Sequence, residues 1–322
     1  MEIYQLKGCG TALVTPFDAT GARVDEAALR RLVRRQLESG IDFLVPCGTT
    51  GESPVLSSKE HFRVVEIVLE EAKGKVPVIA GAGGNNTERV REGIEEMERM
   101  GVDGILSVSP YYNKPTQEGL FQHYRALAEA TRLPILVYNV PGRTGSNVEP
   151  KTLARLAAIP NILGVKEASG NMGQIDEILR VMSEKFGPER FRVISGDDGL
   201  TLPMLAIGAV GVISVVSNVA PREMRELVAL GNAGDLIGAR KIHRRLLPLM
   251  QALFVEANPI PVKYALATMG MIPLSYRLPL VPPSSENQTK IQKVLEELAI
   301  IPSGLAAKER AYAIFNATGG AN

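Results

Sequence analysis

Eight short apolar runs rich in β-branched residues recur along the chain, and their spacing constrains the fold more than any other feature. They lie at 10–15, 42–46, 76–80, 104–108, 134–138, 162–166, 191–195 and 210–214. Successive runs start 28 to 34 residues apart, except the last, which follows after 19. None alternates apolar with polar residues, which is the pattern of parallel strands buried on both faces. Helix-spaced stripes lie between them: Leu29, Leu32, Val33 and Leu37, then Phe62, Val65, Leu69 and Ala72, then Val90, Ile94 and Met97. The Ser57–Glu60 segment reads S-x-x-E, a capping box at the start of the second stripe. Strand, helix and returning parallel strand form a βαβ unit with a right-handed crossover. Eight such units predict an α/β fold, a (β/α)8 TIM barrel. An open doubly wound sheet fits less well, because no single fingerprint turn interrupts the even series.

The pattern changes near residue 232. Beyond it the periodic segments are all helical, at 234–255, 259–269 and 287–298. The reading is therefore a catalytic barrel over 1–232 and a C-terminal helical domain over 233–322, with an extra tail from about 300.

Composition narrows the function. The 36 basic and 35 acidic residues leave a net charge of +1, which argues against a nucleic-acid or membrane-surface binder. Two cysteines, Cys9 and Cys47, are too few for a disulfide framework or a cysteine metal site. The first ten residues carry Glu2 and Lys7 and lack the apolar core of a secretory signal. No apolar run reaches the roughly 18 residues that span a membrane. A cytoplasmic protein is expected. The three histidines, His61, His123 and His243, sit in helical patterns, which disfavours a catalytic triad or a zinc site.

Barrels of this kind carry their functional residues where strands end and in the loops that follow. Lys166 ends the run Ile162–Val165. Burial disfavours an ammonium ion, and a neutral amine can attack a ketone to form an imine. A snorkelling lysine, or one paired with Glu167, is the plainer alternative. Tyr138 ends the neighbouring run and could shuttle protons. Thr49 and Thr50 lie between glycines, where hydroxyls could relay a proton or bind a carboxylate, or simply make a turn. Arg143 could bind a carboxylate in two-point fashion or be an ordinary surface arginine. The Gly81–Gly84 segment lacks dinucleotide and P-loop spacings and reads better as a tight strand–helix turn than as a phosphate cradle. Asp197 and Asp198 read better as a turn or helix cap than as metal ligands.

Six segments, in order, carry a resemblance: GTTGE from Gly48, PYYNKPTQEGL from Pro110, YNVPGRTG from Tyr138, GVKEASGN from Gly164, SGDD from Ser195 and GVISVVSNV from Gly211. Together the chain, from about residue 7 to 298, resembles the dihydrodipicolinate synthase family of the class I aldolase superfamily, which includes N-acetylneuraminate lyase. The resemblance implies a (β/α)8 barrel with C-terminal helices, in a homotetramer built from two tight dimers. It implies condensation of pyruvate with L-aspartate-4-semialdehyde, the first committed step of the diaminopimelate route to lysine, with no metal or organic cofactor.

By the same resemblance Lys166 forms the imine and Tyr138 transfers protons. Thr49 links Tyr138 to Tyr112, which reaches across the tight dimer into the neighbouring site. Arg143 binds the aldehyde substrate's carboxylate and Thr50 the pyruvate carboxylate, while Gly196 and Ile213 supply backbone groups lining the pocket. Thr49 and Arg143 separate the synthases from sialic acid lyases. Other pyruvate-dependent aldolases and dehydratases share Lys166 and Tyr138 and remain the alternative, with a non-catalytic barrel the remoter one. Ser53, His61, Asn85 and Tyr111 match positions that bind lysine in feedback-inhibited members. Ser58 and Arg89 depart from the sensitive pattern, and a cation at Arg89 should repel lysine. Weak or absent inhibition is expected.

Overall fold

In the computed structural model, which describes residues 6–302, eight parallel strands alternate with helices. The strands are β1 (Gly8–Ala12), β2 (Phe43–Val45), β3 (Ile79–Gly81), β4 (Gly104–Val108), β5 (Ile135–Asn139), β6 (Ile162–Glu167), β7 (Arg192–Ser195) and β8 (Gly211–Ser214). Helices α1 (Glu26–Glu38), α2 (Ser58–Ala72), α3 (Thr87–Met100), α4 (Gln117–Glu129), α5 (Pro141–Thr144), α6 (Pro150–Leu156), α7 (Met172–Phe186), α8 (Thr201–Ala206) and α9 (Pro221–Asn232) follow in turn. The sheet runs β2-β1-β8-β7-β6-β5-β4-β3. Between β2 and β3 the ring is completed by a parallel bridge from Leu44 to Val78 and by the Gly81 amide donating to the Pro46 carbonyl at 2.9 Å. A Cβ on Gly81 would stand 2.2 Å from the Cys47 carbonyl oxygen, so the approach there requires glycine. The Gly81–Gly84 segment is thus a packed strand–helix turn.

The strands bury both faces, as their uninterrupted apolar runs require. Leu6, Ala12, Phe43, Val45, Ile79, Leu106, Leu136, Leu163, Ile194 and Ile213 belong to the inner layer that fills the barrel. The outer faces, with residues such as Ile105, Ile135, Val137, Ile162, Val165 and Val193, pack on the helices. Each fully buried leucine or isoleucine here contributes about 1.5–3 kcal/mol. Two boundaries differ from the sequence reading. The first strand starts at Gly8 because the ladder to β8 pairs Gly8 with Gly211. The third starts only at Ile79: Pro77 has no N–H to donate, its carbonyl accepts from Leu44 at 2.9 Å, and the Val78 N–H is taken by the Asp103 side chain at 2.8 Å, so this stretch makes an isolated bridge and not a full ladder. The expected capping box is present, with the Ser57 hydroxyl accepting from the Glu60 amide and Glu60 accepting from Ser57.

One irregularity aims the chemistry. Along β5 and β6, Ile135 pairs with Ile162, but Leu136 pairs with Gly164. The extra residue, Leu163, shifts the alternation by one. Consequently Ile162 and Val165 both face the helices, Leu163 faces the interior, and Lys166 turns inward beside Tyr138. With strict period-two alternation from Ile162, Lys166 would share the outward face.

Beyond α9 come α10 (Leu236–Ala252), α11 (Ile260–Thr268) and α12 (Ser285–Glu297), close to the three expected helices. Helix α10 packs on α9 and α12, and α11 packs on α12. Leu247, Met250, Gln251 and Phe254, in and just after α10, line a cavity at the C-terminal end of the barrel strands. The expected tail falls almost wholly on 303–322, outside the described residues. Among the described residues no helix is long and apolar enough to cross a membrane.

Candidate active site

The register of β5, β6 and β7 sets Tyr138, Lys166 and Ile194 side by side. Lys166 and Tyr138 are each 6% exposed, and the Lys166 Nζ lies 4.1 Å from the centroid of the Tyr138 ring. Burial strips the ammonium of its hydration and lowers the Lys166 pKa to about 7. The Asp198 charge opposes that fall, and the Arg143 charge adds to it. Glu167 is not the partner of Lys166. It faces away, accepting from Asn139 Nδ2 at 2.9 Å and from the Ser169 amide at 2.7 Å. The plainer readings of Lys166, snorkelling or paired with its neighbour, are therefore set aside by the geometry. Gly196 leaves room for the lysine stem: a Cβ there would lie 3.0 Å from Lys166 Cε and 2.8 Å from the Ala168 Cβ.

Burial also raises the Tyr138 pKa, so the phenol keeps its proton; the Arg143 charge and a hydrogen bond with the Thr49 side chain act the other way. Thr49 and Thr50 belong to a single 3-10 turn, Thr49–Gly51, that follows β2. It closes at Glu52, in the left-handed region at φ 55°. The Glu52 carboxylate is wholly buried against the Lys263 ammonium of α11. Lys263 in turn lies over the Phe17 ring, 4.2 Å from its centroid. Arg143 rides on α5, whose Pro141 supplies the fixed φ of a first helical position. Its Nη2 donates to the Asn258 carbonyl at 3.3 Å, and Asn258 Nδ2 donates to Thr50 Oγ1 at 2.9 Å.

Thr49, Thr50, Tyr138, Arg143, Lys166 and Gly196 thus surround one cavity of about 390 Å³. Its outer wall comes from the residues after α9. A second cavity, also about 390 Å³, backs onto Thr49 and Tyr138 and is lined by Ser53, His61 and Tyr111. A third, of about 310 Å³, is lined by His61, Asn85, Arg89, Ser58 and Tyr111. The four positions matched to lysine binding therefore lie around two adjoining cavities.

Two expected site residues stand apart. Tyr112 is 88% exposed, holds a left-handed φ of 72° and does not line the cavity of Lys166. The Ile213 side chain is packed into the inner layer of the barrel, and the role expected of it was a main-chain one; Val215, two residues on, lines the cavity. The difference is depth: Ile213 points into the barrel interior within β8, whereas Val215 lies past the end of the strand, at the level of the cavity.

Three residues went unrecognised in the sequence. Asp197 is the expected cap, accepting from the Gly199 amide at 2.8 Å. Asp198 is something else: it is 2% exposed and accepts from the Val215 and Val216 amides at 2.9 and 3.1 Å. Burial raises its pKa to about 6. Asn258 and Lys263 lie in a segment, NPIPVK, whose only sequence signals are those of a turn and a helix start.

Comparison with known proteins agrees with this geometry. The family model described as the dihydrodipicolinate synthetase family matches residues 5–298. The 4-hydroxy-tetrahydrodipicolinate synthase of Koribacter versatilis is 52% identical over 305 residues, covering 94% of this chain and all of the relative. The crystal structure of dihydrodipicolinate synthase from Thermotoga maritima is 49% identical, with a TM-score of 0.89, covering 92% of this chain and 99% of that one. A dihydrodipicolinate synthase variant characterised as monomeric is 48% identical, with a TM-score of 0.89 and coverage of 93% and 99%. A match across nearly the whole chain, on a barrel whose Lys166, Tyr138 and Thr49 converge on one cavity, places this chain in the dihydrodipicolinate synthetase family.

Proposed function

We propose that this chain condenses pyruvate with L-aspartate-4-semialdehyde to 4-hydroxy-tetrahydrodipicolinate, through an imine on Lys166. The observation that carries the reading is a buried amine with a pKa of about 7 at the end of a barrel strand, facing a cavity. The neutral amine attacks the ketone carbon of pyruvate, and the carbinolamine loses water to give an iminium. Loss of a methyl proton then leaves an enamine, with the electron pair drawn into the imine carbon–nitrogen system. The enamine carbon bonds to the aldehyde carbon of the second substrate, whose oxygen takes a proton. Finally the substrate's amino group attacks the imine carbon and expels the Lys166 amine, which closes the ring.

The remaining roles follow from position. Tyr138, held as a phenol by burial and joined to Thr49, passes protons at these steps. Thr50 binds the pyruvate carboxylate. Arg143, at the rim of the same cavity, takes the carboxylate of the semialdehyde, and its presence favours the synthase over other pyruvate-dependent aldolases. Tyr112, exposed in one chain, completes the relay in the site of a second copy, within a tetramer of two tight dimers. The reaction serves biosynthesis in the cytoplasm.

Incubation with pyruvate, reduction with borohydride and mapping by mass spectrometry should place a pyruvate-sized adduct on Lys166. Product should then form only when L-aspartate-4-semialdehyde is added. A folded chain that takes no adduct would end this reading; an adduct without turnover of the semialdehyde would transfer it to another pyruvate aldolase.

Lysine should inhibit weakly or not at all. Arg89 shares the cavity of His61, Asn85 and Tyr111, and its guanidinium opposes the ammonium of an incoming lysine. Half-inhibition by submillimolar lysine in a steady-state assay would overturn this.

A further inference from the structure

Asn258 joins both carboxylate-binding side chains of the site and belongs to neither the barrel strands nor their loops. It lies in the connection between α10 and α11, is 6% exposed and lines the cavity of Lys166. Its main-chain carbonyl accepts from Arg143, and its Nδ2 donates to Thr50 Oγ1 at 2.9 Å. Its Oδ1 is buried and has no hydrogen-bond partner among the described residues. The amide thus presents its donor end to Thr50.

That polarity has a chemical consequence. A threonine hydroxyl carries one proton and two acceptor lone pairs. When Asn258 donates into one lone pair, the hydroxyl proton cannot also point at Asn258. It stays available to an acceptor in the cavity. The carboxylate of pyruvate is acceptor-only, so Thr50 is pre-set in the orientation that such a substrate needs.

We propose that Asn258 is a positioning residue that fixes the Thr50 hydroxyl as a donor to the pyruvate carboxylate, so that the helices beyond the barrel set the affinity for the first substrate. The proposal rests on the pyruvate reading above. It predicts an asymmetry between substrates, because Thr50 is held by the Asn258 side chain while Arg143 is held by its main-chain carbonyl. Side-chain substitutions remove the first contact and keep the second.

The variant that tests the polarity is Asn258→Asp, which has the same shape. An ionised carboxylate only accepts, so Thr50 would turn its proton toward residue 258 and away from pyruvate. The pyruvate concentration giving half-maximal borohydride trapping should rise at least about tenfold, the size expected for losing a hydrogen bond to a charged group. In Asn258→Ala, which adds no charge beside Arg143, the KM for the semialdehyde should change by less than about twofold. Asn258→Ala should raise the half-saturating pyruvate concentration several-fold, and should add nothing in a Thr50→Val background, since it acts through Thr50.

Thermal melts of each variant identify any that fail to fold, and Asn258→Ala with its cycle then carries the test. Wild-type pyruvate affinity in Asn258→Asp, parallel rises in both substrates' constants in Asn258→Ala, or effects of Asn258→Ala and Thr50→Val that multiply would each overturn the proposal. Absence of any adduct on the unsubstituted chain would instead overturn the pyruvate reading, so the two failures are distinguishable.

Discussion

Replacing Lys166 by alanine should abolish borohydride trapping of pyruvate and lower kcat by roughly 10⁴–10⁶-fold, as when a covalent nucleophile is removed elsewhere. The fold should survive, because the shortened side chain faces the cavity. The same chemistry fixes the pH dependence in the unsubstituted chain. Only the neutral amine attacks, and the Lys166 pKa is about 7, so the initial rate of adduct formation should rise with pH through about 7 and level off above it. At pH 6 only about a tenth of the amine would be neutral. In Asp198→Asn the midpoint should move to lower pH, because the Asp198 charge is what raises the amine's pKa against burial. Asparagine keeps an oxygen to accept from the Val215 and Val216 amides, so the main-chain contacts survive while the charge is removed. A midpoint that stays in place, or moves upward, would show that Asp198 does not act on Lys166 electrostatically.

Lys263→Met should cost about 3–5 kcal/mol of unfolding free energy, the loss expected when one partner of a buried ion pair is removed. The Lys263 side chain is 0% exposed and that of Glu52 1%, so the abandoned carboxylate has no water to turn to. The double variant Lys263→Met with Glu52→Leu should recover most of the loss, since two apolar side chains leave no buried charge. Urea unfolding of the three proteins measures this directly. Equal stability of the single variant and the parent would mean that the pair is solvated or neutral in the folded chain. Activity should fall along with stability in the single variant, because Glu52 closes the turn that carries Thr49 and Thr50.

Much of the fold could be read beforehand because barrel strands and helices advertise themselves in different periods. Runs such as Ile135–Tyr138 are apolar at every position, which only a strand covered on both faces tolerates. Stripes such as Val90, Ile94 and Met97 repeat at helical spacing, and Ser57 with Glu60 marks a helix start by its own hydrogen bonds. The convergence of Lys166, Tyr138, Thr49, Thr50 and Arg143 was legible because all five lie where a strand ends or in the loop that follows. Asp198, Asn258 and Lys263 were not legible. Their importance depends on what lies across the cavity or core from them, and a turn-like segment gives no sign of that.

The sequence by itself determined the count of strands, the parallel sheet, the end of the barrel where chemistry gathers and Lys166 as a candidate nucleophile, because each is written in local spacing or residue type. Only the tertiary structure decided which way Lys166 points. The run from Ile162 to Lys166 has no alternation to say which face is which, and the single extra residue at Leu163 exists only in the pairing of β5 with β6. Long-range pairing likewise decided that Asp198 lies within electrostatic reach of the amine and that Asn258, more than two hundred residues away in sequence, holds Thr50. These are contacts between segments whose separation is set by the closed barrel and the helices across its mouth, and no local rule of spacing contains them.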